Sequence, residues 1–279
     1  MDYYKNKHVY ITGGSGGIGL ALARKLFNYG ANLTIIARNS AKLEDARRSI
    51  ELFKVSPGQF IRCLSADVSN SADLSHVIPQ AIKEFGTPDI LINSAGIINC
   101  DYFGNISHDT FDAVMKINLY GTRNMIAEVL PAMKKRGGHI VIISSVAGLM
   151  GMCGYTAYGT SKFALVGFAE CLRGELKQQG IHLTLVCPPE VDTPMLLDEM
   201  KTIPSEIRIL KNMSGQLKPE FVAAHMLQAV ARKKFMVIPG FRAKWLWYTQ
   251  RLAPALFRFS SDMIIKWGLR RKSVSLDRR

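Results

Sequence analysis

Seven short apolar runs recur along the chain, most separated by helix-length amphipathic stretches, and few folds accept that order. The runs are 8–12 (HVYIT), 31–38 (ANLTIIAR), 60–67 (FIRCLSAD), 89–96 (DILINSAG), 139–145 (HIVIISS), 181–189 (IHLTLVCPP) and 235–240 (FMVIPG). Helical patterning is expected over 18–29, 41–53, 71–85 and 109–135. Strands apolar on both sides must be buried on both faces, which requires helices above and below a parallel sheet. Right-handed crossovers then make the expected fold α/β, a Rossmann-type doubly wound parallel sheet. Residues 1–240 are expected to form this single domain, and 241–279 a basic, aromatic C-terminal extension. Segment 195–218 mixes Met, Leu, Pro and charge without a period. It follows the carboxyl end of a strand, where such sheets bind ligands, so a mobile lid is expected there.

The chain has 279 residues, enough for one such domain and an appendage. Its net charge of +14 is unevenly spread. Residues 231–279 hold thirteen Lys or Arg against Asp262 and Asp277, so +11 of the +14 resides there. Such a tail suits an anionic membrane, an acidic partner or nucleic acid. Its apolar content and the lack of any base-reading motif argue against nucleic acid. The five cysteines (Cys63, Cys100, Cys153, Cys171, Cys187) form no CxxC pair and no metal spacing. They are expected to be reduced core thiols of a cytosolic-side domain, with no metal site. The first strand is expected to begin near His8, so no signal peptide is expected, and no run of about eighteen uncharged apolar residues supports a simple membrane span.

Between the first strand and the first helix stands Thr12-Gly13-Gly14-Ser15-Gly16-Gly17-Ile18-Gly19. Glycines let backbone approach a pyrophosphate closely, and a helix N-terminus supplies N–H donors to it. A purely structural turn is the competing reading, and the strand–loop–helix placement favours a dinucleotide. At the end of the second strand an acidic residue would grip the ribose 2′-OH of NAD. Ala37-Arg38-Asn39 stands there instead. Arg38 can pair with a 2′-phosphate, assisted by Lys42 and Ser15, which selects NADP(H).

Tyr158 and Lys162, at i and i+4, share one face of an expected helix. A nearby ammonium favours a phenolate, so Lys162 is expected to lower the proton affinity of Tyr158. Ketone reduction needs such an acid, because the carbonyl oxygen must be protonated as hydride reaches the carbon. Ser145, at a strand end, is placed to hydrogen-bond the same oxygen. Taken alone, the Tyr–Lys pair is a weak signal; its coincidence with the serine and the glycine loop makes it a site.

These motifs resemble the short-chain dehydrogenase/reductase family over about residues 7–240, through TGGSGGIG (12–19), Asp67-Val68, NSAG (93–96), Asn118, Ser145, Tyr158 with Lys162, and Pro188 through Thr193. The resemblance implies that Asp67 and Val68 hold the adenine and that Asn93, Ala95 and Gly96 line the cofactor cleft. It implies that Asn118 anchors a water linking Lys162 to solvent, and that Val191 and Thr193 contact the carboxamide end of the nicotinamide. It also implies a homodimer or homotetramer. Pro188-Pro189 departs from the family's usual Pro-Gly and stiffens that loop. VCPPEVDTPML (186–196) with Ala37-Arg38-Asn39 and Lys42-Leu43 is similar to the 3-ketodihydrosphingosine reductase branch, which implies a long-chain amino ketone as substrate. Glu190 is then a candidate partner for the substrate amine. The alternatives are another hydrophobic carbonyl (steroid, retinoid or 3-oxoacyl chain), or a regulatory NADP-binding protein without turnover.

Trp245, Trp247 and Trp267 all lie in the tail, with Tyr248, Phe257 and Phe259, interleaved with Arg242, Lys244, Arg251, Arg258 and Lys266. Amphipathic aromatics beside basic residues suit a membrane interface, so peripheral attachment on the cytoplasmic side is expected. The competing readings are a helix packed on the domain and an oligomer contact.

Overall fold

The computed structural model describes residues 2–204 and 215–276. Its strands are β1 (His8–Thr12), β2 (Asn32–Ala37), β3 (Ile61–Ser65), β4 (Ile90–Asn93), β5 (Gly138–Ile143), β6 (Ile181–Val186), β7 (Glu190–Val191), β8 (Gln216–Leu217) and β9 (Met236–Val237). Its helices are α1 (Gly17–Asn28), α2 (Ser40–Glu51), α3 (Ser71–Phe85), α4 (His108–Met115), α5 (Gly121–Met133), α6 (Thr156–Lys177), α7 (Pro194–Thr202), α8 (Pro219–Ala231), α9 (Phe241–Leu252) and α10 (Pro254–Leu276).

Seven strands form one parallel sheet in the order β3-β2-β1-β4-β5-β6-β9. Alternate residues of each strand feed opposite cores. Tyr10, Leu91, Ile140, Ile142, Leu183 and Leu185 meet α3, α5 and α6 on one face. Val9, Ile11, Ile35, Ile90, Ile92 and Val141 meet α1, α2 and α8 on the other. The strand order reverses between β1 and β4, and there the crevice for a ligand opens.

Three expected segments differ. The stretch 109–135 is not one regular helix: α4 and α5 are joined by a five-residue π-helical turn, Lys116–Tyr120. Asn118, fully buried in that turn, is held by tertiary bonds to residues 97 and 161 that no helical period encodes. The front of the expected lid is ordered as α7 and its end as β8, with 205–214 outside the described residues. In the tail, Ala243 is buried, and Leu246, Trp247 and Phe257 pack against the first core. The side chains of 267–279, Trp267 among them, lie outside the described residues. The thiols also divide: Cys100 and Cys187 are buried as expected, Cys153 is intermediate, and Cys63 and Cys171 are exposed. All five are free, and among the described residues no His/Cys/Asp/Glu group could hold a metal.

Candidate active site

The β1–α1 loop forms the floor of a cavity of about 350 Å³ at the switch point. Gly13 has φ 67°, and a Cβ there would come within 2.9 Å of the Ala95 amide nitrogen, so only glycine lets this loop lie against the exit of β4. A Cβ on Gly19 would collide with the Gly13 carbonyl. Gly16 caps α1 without a side-chain hydrogen bond, and nothing lies within 4 Å of where its Cβ would stand. The first-turn amides of α1 therefore have room for an anion beside them, and the cradle fits a pyrophosphate. Ser15, Gly17 and Ile18 line the same cavity. On its far wall the Thr193 methyl stands 3.3 Å from the Cβ position of Gly17, and the Thr193 hydroxyl donates to the Val191 carbonyl at 3.2 Å. Ala95, Gly96 and Pro188 complete the cleft.

The reacting end is built where β5 runs out and α6 begins. Ser145 follows β5; its hydroxyl accepts from the Ala147 amide at 3.1 Å and lies 3.4 Å from the Pro188 carbonyl. The first turns of α6 are clamped to that strand end, because the Ser144 hydroxyl donates to the Lys162 carbonyl at 2.9 Å. Gly148 makes the clamp possible, since a Cβ there would come within 2.6 Å of the same carbonyl. Tyr158 and Lys162 thus enter the cavity from one helix face, beside Ser145. Lys162 is buried, its Nζ donating to the Ile143 carbonyl at 3.0 Å and standing 5.5 Å from the Tyr158 ring centroid.

Electrostatics here run against one expectation. Burial pushes the Tyr158 phenol up to about 12; a hydrogen bond from Ser145 offsets part of this, and the charge of Glu199 adds to it. Burial also brings the Lys162 ammonium down to about 8. So Lys162 does not pull the phenol below its ordinary value in this structure. For each group the loss of water is the largest cause of its shift. For an acid that must arrive protonated, this is the useful direction.

Asn118 sits beside this pair. A Cβ on Gly96 would stand 3.1 Å from Asn118 Oδ1 and 3.7 Å from Lys162 Nζ. Its amide is engaged by the Ile97 amide and carbonyl and by the Ser161 hydroxyl, at 2.8, 3.0 and 2.9 Å. Asn93 is placed differently from the expectation. It is 2% exposed, and its amide donates to the Val141 carbonyl of β5 at 3.2 Å, so it ties strands together and does not line the cavity. Arg38, Lys42, Asp67 and Val68 lie outside the cavity, Arg38 just past β2, Lys42 in the first turn of α2, and Asp67 and Val68 just past β3. Arg38 is largely exposed, 3.8 Å from Asp67. Burial raises the Asp67 carboxyl, but Ser69's hydrogen bonds and the Arg38 charge outweigh that and hold it below the usual range. Asn39 caps α2 by accepting from the Lys42 amide at 2.9 Å, which sets where α2 starts.

Two residues at the site escaped the sequence. Glu199, 5% exposed on α7, lines the cavity and accepts a short hydrogen bond from the Tyr155 hydroxyl. Tyr155 packs 6.1 Å from Tyr158, ring to ring. Its i−3 spacing from Tyr158 was a usable signal; the burial of Glu199, in a stretch without a period, was not.

A glycine-floored crevice at a switch point, with a serine, a protonated tyrosine and a buried lysine at its end, defines an oxidoreductase that uses a nicotinamide nucleotide on a ketone or alcohol. The chain belongs to the short chain dehydrogenase family, whose sequence model matches residues 7–203. It is 38% identical over 230 residues to a 3-ketodihydrosphingosine reductase of Bos taurus, covering 82% of this chain and 69% of that one. A 3-dehydrosphinganine reductase of Arabidopsis thaliana is 36% identical over 282 residues, covering 94% and 83%. Among solved structures, a short chain dehydrogenase/reductase of Burkholderia phymatum in complex with NAD superposes with a TM-score of 0.78 at 24% identity, covering 93% of this chain and 97% of that one. Levodione reductase gives 0.77 at 27% identity, covering 86% and 98%.

Proposed function

We propose that the protein reduces a long-chain ketone with NADPH, and that this ketone is 3-ketodihydrosphingosine, yielding dihydrosphingosine for sphingolipid synthesis. The observation that carries the reading is Ser145, Tyr158 and Lys162 lining one cavity, in a chain most of whose length is similar to reductases of that ketone. The nucleotide, when bound, supplies the hydride to the carbonyl carbon. Tyr158 Oη gives its proton to the carbonyl oxygen, Ser145 Oγ hydrogen-bonds that oxygen, and the Lys162 charge stabilises the phenolate left behind. Asn118, the neighbour of Lys162 across Gly96, supports the route by which the proton is replaced.

The α1 amides with Gly13, Gly16, Gly17 and Gly19 would hold the pyrophosphate. Asp67 and Val68 would meet the adenine, and Val191 and Thr193 the carboxamide. Arg38 and Lys42, exposed at the β2 end, would take the 2′-phosphate. Hydrogen bonds to charged groups contribute about 1.5–3 kcal/mol. Arg38→Glu should therefore cut kcat/KM for NADPH roughly ten- to hundredfold, with NADH far less affected. Two carboxylates line the cavity, half-buried Glu190 and buried Glu199. Either suits an ammonium next to the ketone. The deciding assay follows NADPH and NADH oxidation with 3-ketodihydrosphingosine and with an amine-free analogue. Turnover of the amino ketone with NADPH is expected, with Glu190→Gln or Glu199→Gln hurting it more than the analogue. Turnover of neither compound would end this reading.

Peripheral membrane attachment is part of the same proposal. Phe241, Trp245, Tyr248 and Leu252 are exposed at spacings of four, three and four, one face of α9. Leu256, Phe259 and Met263 continue the exposed apolar face on α10. Lys244, Arg251, Arg258 and Lys266 stand among them, each able to add about 1 kcal/mol near an anionic surface. Among the described residues no helix is long and apolar enough to cross a membrane. Trp245→Ser with Phe259→Ser should abolish co-sedimentation with phosphatidylserine vesicles without loss of folding, and unchanged co-sedimentation would remove the tail as anchor.

A further inference from the structure

A second cavity, of about 440 Å³, lies beside the catalytic one and is walled by the C-terminal helices. That volume falls in the ~300–1,000 Å³ range of ligand pockets. One wall is the 146–153 segment that follows β5 and Ser145; the other comes from α9 and α10, with Leu246, Phe257 and Ile265 as its apolar members. Exposed Arg258 and Asp262 stand at its rim. Val146 and Met152 line both cavities and so form their shared wall. Met152 is half-buried, and its unbranched side chain can reorient at little cost.

We propose that this second cavity receives the saturated alkyl chain of the substrate, with the ketone at Tyr158 and the chain passing Met152 to lie under α9 and α10. The proposal rests on the long-chain ketone reading above and adds where the chain goes. The catalytic cavity, about 350 Å³, must share its space with the nicotinamide end of the nucleotide, leaving little for a long chain. The helices that wall the second cavity carry the exposed apolar face described above on their other side. A chain leaving a bilayer at that face thus has an apolar space within one helix thickness, next to the reacting atoms.

Gly151 supplies the test. It is exposed, lines the cavity, and nothing lies within 4 Å of where its Cβ would stand, so a side chain there projects into free space. Gly151→Leu is expected to lower kcat/KM at least about tenfold for an eighteen-carbon 3-keto amine and to leave a six-carbon analogue within about twofold. Ser261→Phe fills the space from the opposite wall and should give the same pattern, so a misfolded first variant does not decide the matter. If both variants leave the long-chain preference of the parent intact, or lower both substrates equally, the cavity does not hold the chain. A parent that turns over the six-carbon but not the eighteen-carbon ketone overturns the substrate reading itself, and this proposal with it.

Discussion

Tyr158→Phe should lower the rate of ketone reduction by about 10²–10⁴-fold, the usual contribution of a positioned proton donor, while nucleotide binding persists. The substitution removes one atom and keeps the ring. The packing against Tyr155 at 6.1 Å and the approach of Lys162 Nζ at 5.5 Å survive it. What disappears is the hydroxyl that Ser145 bonds and that burial keeps protonated to about pH 12. The loss of that bond should change stability by no more than about 0.5–1.5 kcal/mol. Single-turnover oxidation of NADPH measures the chemical step, and quenching of nucleotide fluorescence measures binding. A fall in both would make Tyr158 a binding residue. A rate within about threefold of the parent would mean that another acid serves. Tyr155 is the nearest alternative, but its proton is committed to Glu199, and burial and that carboxylate raise its proton affinity further.

The sequence was most informative where one residue type had a single physical use. The central strands were legible because side chains such as Tyr10 and Ile11 are buried on opposite faces, which leaves an uninterrupted apolar run. The glycine loop was legible because Gly13 and Gly19 stand where a Cβ collides with backbone. Legibility failed where a side chain's direction depends on a distant partner. Asn93 adjoins the cleft in sequence, yet points into the sheet to reach Val141. Asn118 lies in a helix-patterned stretch, but its bonds to Ile97 and Ser161 are made in a π turn. Cys63 reads as a core thiol and is exposed because β3 is the edge strand. In the tail, composition indicated basic and aromatic character. Only the folded helix separates Ala243 and Trp247, against the core, from Trp245 and Tyr248, facing outward.

Lys162 carries the second large effect, and pH is the variable that isolates it. Burial brings its ammonium from 10.5 down to about 8, while Tyr158 stays protonated far above that. Below pH 8 the Lys162 charge is present to stabilise the phenolate left by proton transfer; above pH 8 it is lost. Reduction should therefore show a descending limb near pH 8. Lys162→Met should remove the limb and lower kcat at pH 7 by about 10²–10³-fold, the scale for losing one electrostatic contact in a water-poor site. Lys162→Arg keeps its charge throughout, so it should abolish the limb while retaining more of the rate. Stability provides the control, because its pH dependence has the opposite sign. Between about pH 8 and 10.5 the unfolded chain still holds the proton that the folded chain has released, so this group makes the fold more stable as pH rises. A rate that falls across pH 8 while the melting temperature holds or climbs assigns the limb to Lys162. A parallel fall in both would be alkaline unfolding, and a limb that persists in Lys162→Met would belong to another group.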